Sequence, residues 1–232
     1  MELKSVVYSH SDYFDVLDIF LKRWNLFRPS EPLPIILADT RFCDGEYIQY
    51  NNKDAYSKRL LSCLWSIKQD VIIFQHEDMF LYNYPDEAKL IDYAFYLRNS
   101  DLSFIRLCKT GSCGLQQNYH FNTLFDIKDN SQDIFAIQPT IWKRLDLIRL
   151  LSLLDCHCSM WDLEFYGKKN CHKARIKGCL HYDGECARGG HFDSNVWPYI
   201  ATAIVKGKWN MLEYAKELNE ISGIDFFKRG SI

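Results

Sequence analysis

The sequence predicts a single α/β domain whose central sheet is mostly parallel and is covered by helices on both faces. In the first half of the chain, apolar runs that suit buried strands alternate with segments of helical periodicity. One of these runs, residues 71–74, is apolar on both faces, as is typical of an interior parallel strand. Strands that alternate with helices in this way are joined by crossover connections, which make them parallel. The 232 residues, 47% of them hydrophobic, are enough for one such domain.

The first half of the chain contains four predicted strands and three predicted helices. The strands are residues 3–8, 35–38, 71–74 and 104–107, and the helices are residues 13–24, 54–68 and 86–99. Three prolines, Pro29, Pro32 and Pro34, separate the first helix from the second strand.

The second half is less regular. Residues 108–133 are polar and are predicted to form a loop or a hairpin insertion. A short strand is predicted at 134–137, a helix at 140–154 after Pro139, and a last helix at about 209–218. Because no stretch of the chain has the composition of a linker, residues 1–232 are interpreted as one domain.

Composition and charge exclude several classes of function. The net charge is −2 and no run of Lys and Arg is present, so we expect no nucleic-acid partner. The first residues do not have the pattern of a signal peptide, and no apolar window is long enough for a transmembrane segment. We therefore expect a cytoplasmic protein whose nine cysteines are reduced thiols.

Carboxylates follow three of the predicted strands. Asp12 and Asp39 come after the first two strands, and Glu77 and Asp78 follow the buried strand at 71–74. Ligands of parallel sheets bind at the carboxyl ends of the strands, so we expect these acids to converge. A carboxylate pair of this kind can hold Mg²⁺ or Mn²⁺ against a substrate diphosphate. From the acids alone, solvated carboxylates that cap a strand end are the alternative.

Four stretches of the sequence resemble one family. They are 56–60 with 65–74, the acidic triplet His76–Asp78, the strand and helix start Phe135–Trp142, and Ser159–Glu164. In this order and spacing they resemble the GT-A-fold glycosyltransferases, particularly small enzymes of bacterial or viral type that build surface glycans. The resemblance extends over roughly residues 3–166.

The resemblance implies a GT-A, Rossmann-like fold and the transfer of a sugar from a nucleoside diphosphate sugar, with UDP-sugars favoured, to a glycan or other hydroxyl acceptor. Residues 1–107 would be the nucleotide-sugar-binding half and 108–232 the acceptor-side half. The implied cofactor is Mn²⁺ or Mg²⁺, with Asp78 as the principal ligand and Glu77 beside the metal or the donor ribose. His76 departs from the family pattern, which has an acid at this position, and we expect it to point back into the sheet.

The same resemblance assigns residues to the donor. Ser9 and Asp12 after the first strand, and Asp39 after the second, would hold the nucleotide. Arg59 would face the diphosphate and Gln138 would contact the donor sugar. For Asp12, a helix cap is the alternative interpretation.

An inverting transfer needs one carboxylate that removes the proton of the acceptor hydroxyl. Asp162 and Glu164 are the candidates, and their spacing prevents both from serving the same point. Glu164 is favoured as the base, and the other acid is expected to cap or orient. The resemblance also implies a later histidine in the metal shell. His191, preceded by Gly189 and Gly190, is favoured over His181, with a plain turn as the alternative.

Two other functions remain open from the sequence. A sugar nucleotidyltransferase usually has a Gly-rich loop with a basic residue near its first strand, whereas residues 9–13 contain no glycine. The other alternative is a non-catalytic, zinc-stabilised binding module. Five cysteines and four histidines lie between Cys156 and His191, but the pairs Cys156/Cys158 and Cys179/His181 are spaced more tightly than zinc ligands usually are.

Overall fold

The computed structural model describes residues 3–42, 44–111, 116–128, 134–154 and 158–232, apart from the side chain of Trp161. A nine-stranded sheet forms the centre of these ranges. In spatial order its strands are β3 (Tyr47–Gln49), β2 (Ile35–Ala38), β1 (Lys4–Tyr8), β4 (Val71–His76), β8 (Thr140–Lys143), β5 (Phe104–Arg106), β9 (Gly178–His181), β7 (Leu124–Ile127) and β6 (Gln116–Gln117).

The sheet is mostly parallel, as the sequence predicts. β3, β2, β1 and β4 are parallel neighbours, and β5 pairs in parallel with β9. β8 runs antiparallel between β4 and β5. Of the nine strands in the described part of the sheet, only β7 and β8 oppose the common direction.

Helices cover both faces of the sheet because successive strand residues point to opposite sides. Val7 and Ile73 pack with α1 (Phe14–Phe27), α3 (Glu87–Asn99) and α6 (Met211–Glu220). Val6 and Ile72 pack with α2 (Tyr56–Ser66), α4 (Arg144–Leu151) and α5 (Met160–Asn170). The result is a single three-layer domain in which each helix buries one apolar stripe.

Smaller elements complete the described part of the chain. A 3₁₀ turn (Ser11–Tyr13) follows β1, and α7 (Phe226–Arg229) lies near the C-terminus. Two hairpins pair β10 (Ala187–Arg188) with β11 (His191–Phe192), and β12 (Ile204–Val205) with β13 (Lys208–Trp209). Among the described residues, no helix has both the length and the apolar character needed to cross a bilayer.

The alternating elements of the first half are confirmed, whereas two predictions in the second half are wrong. Residues 134–137 are irregular instead of a strand, and the segment 140–154 begins as β8 before α4 starts at Arg144. Thr140, Ile141 and Trp142 fit a strand because they are buried between β4 and β5. A short apolar run next to a helix does not reveal this by periodicity alone. The predicted hairpin insertion contains β6 and β7, but residues 112–115 and 129–133 lie outside the described residues.

Candidate functional site

The carboxyl ends of β1, β2 and β4 lie side by side at one edge of the sheet. β1 is the middle strand of the three and is parallel to both neighbours. The backbone N–H of Glu77 donates to the carbonyl of Tyr8 at 3.2 Å, so the chain after β4 stays next to the end of β1. The strand ends that carry Asp12, Asp39 and Glu77–Asp78 therefore lie together at this edge, as predicted.

Asp39 is held by the turn that follows β1. The backbone N–H of Ser11 donates to Oδ1 of Asp39, and the Ser11 hydroxyl donates to Oδ2, both at 2.8 Å. His10 Nε2 lies 3.7 Å from Oδ2. Burial opposes ionisation of Asp39, but the hydrogen bonds from Ser11 outweigh it and lower the pKa of this carboxyl. A fixed, ionised acceptor therefore stands at the end of β2.

Asp12 and Ser9 lie on the same segment after β1, but Asp12 is exposed to solvent and Ser9 is buried. The Asp12 side chain is 81% exposed, and its backbone N–H donates to Nδ1 of His10. The helix-cap interpretation of Asp12 is wrong, because α1 has Tyr13 at its N-cap and no side chain caps it there. Ser9 is fully buried, its carbonyl accepts from the Tyr50 hydroxyl at 2.6 Å, and its own hydroxyl has no partner among the described residues.

An open cleft of about 470 Å³ lies between the end of β1 and the first turns of α2 and α5. Its lining residues are Tyr8, His10, Ala55, Tyr56, Arg59, Cys158, Ser159 and Met160. The ring of Tyr8 stacks on that of Tyr50, with centroids 5.2 Å apart and planes within 3°. The N-termini of α2 and α5 both lie at this cleft, and their partial positive charges favour the binding of an anionic group.

Arg59 supplies the formal positive charge of this cleft. Its Nε donates to the carbonyl of Asp54 at 2.6 Å, and its Nη2 donates to the carbonyl of Asn52 at 2.5 Å. Its guanidinium lies 5.3 Å from the centre of the Tyr50 ring. Backbone carbonyls and an aromatic face thus orient the guanidinium without neutralising it.

Glu77 and Asp78 form a carboxylate pair directly after β4. Glu77 is buried and Asp78 is partly buried. The backbone N–H of Ala203 donates to the carbonyl of Asp78, and that of Ile204 donates to its carboxylate. Burial raises the pKa of Asp78 to about 7, and burial together with the charge of Asp78 raises the pKa of Glu77 well above its usual range. A positive charge placed between the two acids would reverse both shifts.

The pair suits a divalent cation whose coordination shell is completed by the phosphate oxygens of a substrate. Mg²⁺ typically takes one or two protein carboxylates and fills its remaining positions with phosphate oxygens and water. Glu77 and Asp78 would supply the two carboxylates, and a cation would favour their ionised forms. Within the described ranges, no group of three or more His, Cys, Asp or Glu side chains has the arrangement of a closed metal site.

His76 turns back into the sheet, as expected. Its Nε2 is 2.7 Å from the hydroxyl of Tyr56, and its ring lies beside those of Tyr8 and Phe74. Burial lowers its pKa to about 4, so the imidazole is neutral at pH 7. His76 therefore supports the acids that follow it and does not face them.

His191 lies beside Gln138 and does not join Glu77 and Asp78 in a three-ligand cluster among the described residues. Its Nε2 is 3.0 Å from Nε2 of Gln138. Gln138 Oε1 in turn accepts from the buried hydroxyl of Tyr199 at 2.5 Å. Because β8 is antiparallel to β4, with Thr140 opposite Phe74, Gln138 precedes its strand at the same edge where Glu77 follows β4. The roles of His191 in the metal shell and of Gln138 at the donor sugar stay predictions.

The two candidate bases have different environments. One oxygen of Glu164 accepts the backbone N–H of Ile137 at 2.7 Å, which holds the carboxylate next to Gln138. Asp162 is exposed and forms a capping box with Ser159 at the start of α5. Hydrogen bonds from Ser159 lower the pKa of Asp162. Asp162 thus stabilises the start of α5, whereas the Glu164 carboxylate is hydrogen-bonded to the segment that leads into β8.

Three residues of the site carry no signal in the sequence. Ser11 and Tyr8 are a common turn residue and a strand residue, and only the fold shows that one holds Asp39 and the other lines the cleft. Arg229 is 214 positions from Asp15 along the chain, yet its guanidinium binds that carboxylate beside the site. Contacts over such a separation cannot be read from local patterns.

The cysteines and histidines that the alternative zinc hypothesis would use do not form a cluster of three or more ligands among the residues that the structure describes. Cys171 and Cys179 are buried free thiols, and burial raises the pKa of both. His181 instead contacts Glu185 and Asn195. Cys156 and His157 lie outside the described residues.

No protein-family model matches this sequence, and no curated protein matches it either. Solved structures share its fold. TarS 1–349 of S. aureus matches with a TM-score of 0.55 and 14% identity, over 88% of this chain and 61% of that one. The same protein in complex with UDP matches with a TM-score of 0.52 and 14% identity, over 78% of this chain and 58% of that one.

A CMP:2-keto-3-deoxy-manno-octonic acid synthetase in complex with CTP also matches, with a TM-score of 0.50 and 13% identity, over 78% of this chain and 89% of that one. The chain spans about 61% of the length of the TarS structure. At these identities the likeness establishes the fold: the chain has the α/β architecture of the GT-A and nucleotidyltransferase type.

Proposed function

We propose that this protein is a glycosyltransferase that transfers a sugar from a nucleoside diphosphate sugar to a hydroxyl group of a glycan or other acceptor. The observation that carries the proposal is the meeting of three strand ends. There the fixed carboxylate of Asp39, the cleft beside Arg59 and the acid pair Glu77–Asp78 lie along one edge of the sheet.

The arrangement suits the successive parts of a nucleotide sugar. Asp39 can accept hydrogen bonds from the N–H of a base or from ribose hydroxyls. Arg59 and the helix N-termini favour the phosphates. TarS, whose fold this chain shares, has been solved in complex with UDP and with UDP-GlcNAc. These features support a UDP-sugar as donor.

Glu77 and Asp78 would hold Mn²⁺ or Mg²⁺. A bound cation of this kind neutralises charge on the departing diphosphate. Asp78 is the better-placed carboxylate, because the Ile204 N–H fixes its orientation. His191 would be a further ligand, although its Nε2 here contacts the amide of Gln138.

Glu164 is the proposed base for an inverting transfer. Its carboxylate would take the proton of the acceptor hydroxyl while that oxygen bonds to the anomeric carbon. The bond from the anomeric carbon to the diphosphate breaks, and the nucleoside diphosphate leaves with the electron pair. The hydrogen bond from Ile137 occupies one oxygen of Glu164 and leaves the other for the acceptor.

Sugar nucleotidyl transfer is the second candidate, and the likeness to the CTP-bound synthetase favours it. That reaction would join a nucleotide to a sugar and release pyrophosphate. The segment after β1 opposes it, because residues 9–13 contain a 3₁₀ turn and no glycine, and such a turn cannot wrap a triphosphate with backbone N–H groups.

Product analysis separates the two reactions. The full chain would be incubated with UDP-sugars and Mn²⁺, and release of UDP would be measured with and without simple glycan acceptors. In parallel it would receive CTP or UTP with sugars and sugar phosphates, and release of pyrophosphate would be measured. UDP release without pyrophosphate supports glycosyl transfer; pyrophosphate release alone replaces it with nucleotidyl transfer.

A further inference from the structure

The C-terminal part of the chain is fastened to the candidate site at two points. We call residues 203–229 the C-terminal strap. At its beginning, the backbone N–H of Ala203 donates to the carbonyl of Asp78 at 3.1 Å, and the N–H of Ile204 donates to the Asp78 carboxylate. This end of the strap therefore fixes the chain that follows β4.

The other end of the strap is fastened to the chain that follows β1. Nε of Arg229 donates to Oδ2 of Asp15 at 2.8 Å, and Nη2 donates to Oδ1 at 2.5 Å. Nη2 also donates to the carbonyl of Asp12 at 2.6 Å. The guanidinium lies 4.6 Å from the centre of the Tyr13 ring. One side chain thus contacts the 3₁₀ turn and the first turn of α1.

The strap between these two points is well packed. Trp209 is buried, and its ring packs against Phe80 and Phe226. Its Nε1 donates to the carbonyl of Asp225 at 3.3 Å, and its backbone pairs with Gly230 and Ile232. Arg229 is consequently presented by a fixed element and not by a free tail.

We propose that Arg229 is a positioning residue for the donor nucleoside. It holds the 3₁₀ turn in place, and the turn in turn holds Asp39 through Ser11. Arg229 therefore acts on the donor through Ser11 and Asp39. The inference rests on the proposed function for its ligand, whereas its structural part, the fastening of residues 9–15, is independent of any ligand.

The geometry makes this contact stronger than an ordinary surface ion pair. A bidentate guanidinium–carboxylate pair fixes orientation as well as distance. The Arg229 side chain is 11% exposed and that of Asp15 is 23% exposed, so water screens the pair only in part. The third hydrogen bond, to the Asp12 carbonyl, fixes the backbone itself.

Substitutions at both partners test the proposal, with a matched control at the other end of α1. There Arg28 makes a bidentate pair with Glu87, at 2.6 and 2.7 Å, far from the 3₁₀ turn in the chain. The variants are Arg229→Ala, Arg229→Lys and Asp15→Asn, and the control is Glu87→Gln. Two measurements are made on each full-length protein: calorimetric affinity for UDP, and amide hydrogen exchange of residues 9–15 without ligand.

We expect Arg229→Ala and Asp15→Asn to weaken UDP binding about tenfold and to speed exchange of residues 9–15, because the turn loses its anchor. Arg229→Lys should recover part of the affinity, since it keeps the charge but not the bidentate pair. Glu87→Gln should lower the melting temperature and leave both readouts at the parent level.

The proposal is overturned if Arg229→Ala leaves both the amide exchange and the UDP affinity unchanged. It is also overturned if Glu87→Gln weakens UDP binding as much as Arg229→Ala does. The failure of the proposed function looks different. In that case the parent protein does not bind UDP, while Arg229→Ala still speeds exchange of residues 9–15. If Arg229→Ala speeds the exchange of residues 9–15 but leaves UDP affinity unchanged, Arg229 stabilises this segment and does not position the donor.

Discussion

Ser11 binds both oxygens of the Asp39 carboxylate, one through its backbone N–H and the other through its hydroxyl, each at 2.8 Å. The two residues belong to neighbouring strand ends that are 28 positions apart in the chain. This double contact fixes the Asp39 carboxylate in one orientation before any ligand arrives. Preorganisation of this kind lowers the entropic cost of binding.

Asp39→Asn should therefore weaken UDP binding by about tenfold, or roughly 1.4 kcal/mol. An asparagine side chain has an NH₂ donor in place of one carboxylate oxygen, so it cannot accept from both the backbone N–H and the hydroxyl of Ser11 at the two positions, and it also lacks the negative charge. Calorimetry with UDP measures the effect, and Asp44→Asn, at a fully exposed carboxylate in the same loop region, is the control. Because the pKa of Asp39 is lowered, parent affinity should not depend on this group between pH 6 and 8. Equal affinities of the two variants would remove Asp39 from the donor site.

Asp78→Asn should abolish release of UDP from UDP-sugars while the fold is retained. The amide can still accept the N–H of Ile204, but it is a much poorer ligand for a divalent cation. Asp70→Asn is the matched control, because Asp70 precedes the same strand at its opposite end and is exposed. Turnover and Mn²⁺ dependence are measured in both variants. Parental turnover in Asp78→Asn would contradict the assignment.

Glu164→Gln and Asp162→Asn should have opposite effects. In Glu164→Gln, the new amide carbonyl still accepts from Ile137 but cannot take a proton, so we expect normal donor binding and loss of transfer by about a hundredfold or more. Asp162→Asn should keep transfer and lower the melting temperature, since it weakens the capping box at α5. Transfer rates and melting curves are recorded for both. The reverse pattern would move the base to Asp162.

Glu185 gives a pH-dependent prediction for stability. Its carboxylate accepts from the backbone N–H of Asp183 and of Asn195 and lies 3.0 Å from His181 Nε2. Burial opposes its ionisation, but these hydrogen bonds lower its pKa to about 2. A lowered folded-state pKa adds stability above the unfolded pKa of about 4.3, and this stability is lost as the pH falls toward 2.

Glu185→Gln should thus lower the free energy of unfolding by about 1–3 kcal/mol at pH 7. The difference from the parent should shrink as the pH is lowered from 5 to 3. Urea unfolding at several pH values measures it, with Glu46→Gln as a control at a mostly exposed carboxylate. A difference that stays constant over this range would show that the carboxylate's ionisation does not stabilise the fold.

The sequence reveals much of the fold and less of the site. Strands such as Val71–His76 and helices such as Glu87–Asn99 are predictable because their periodicity and burial are local properties. From these elements the parallel order and the meeting of Asp39 with Glu77–Asp78 follow. Strand Gly178–His181 is not recognisable, because it is short and is defined by its partners β5 and β7.

The contacts that orient the site depend on tertiary structure. The pair formed by Ser11 and Asp39 requires two strand ends to be neighbours. The resemblance to GT-A enzymes implies His191 in the metal shell, but its position beside Gln138 depends on where a hairpin packs. Asp162 and Glu164 are both acids, and only the position where α5 begins shows that Asp162 caps the helix while Glu164 accepts from the backbone of Ile137.

β8 has a consequence for folding. It is the only described strand between β4 and β5, and it begins at Thr140, long after β4 ends at His76. Contacts of such sequence separation form slowly, because a long loop must close first. Until β8 is in place, the edge of β4 carries unpaired N–H and C=O groups on a fully buried strand, which is a template for aggregation. A nascent chain that ends before residue 140 therefore cannot complete its own sheet, and we expect chaperones to protect it during synthesis.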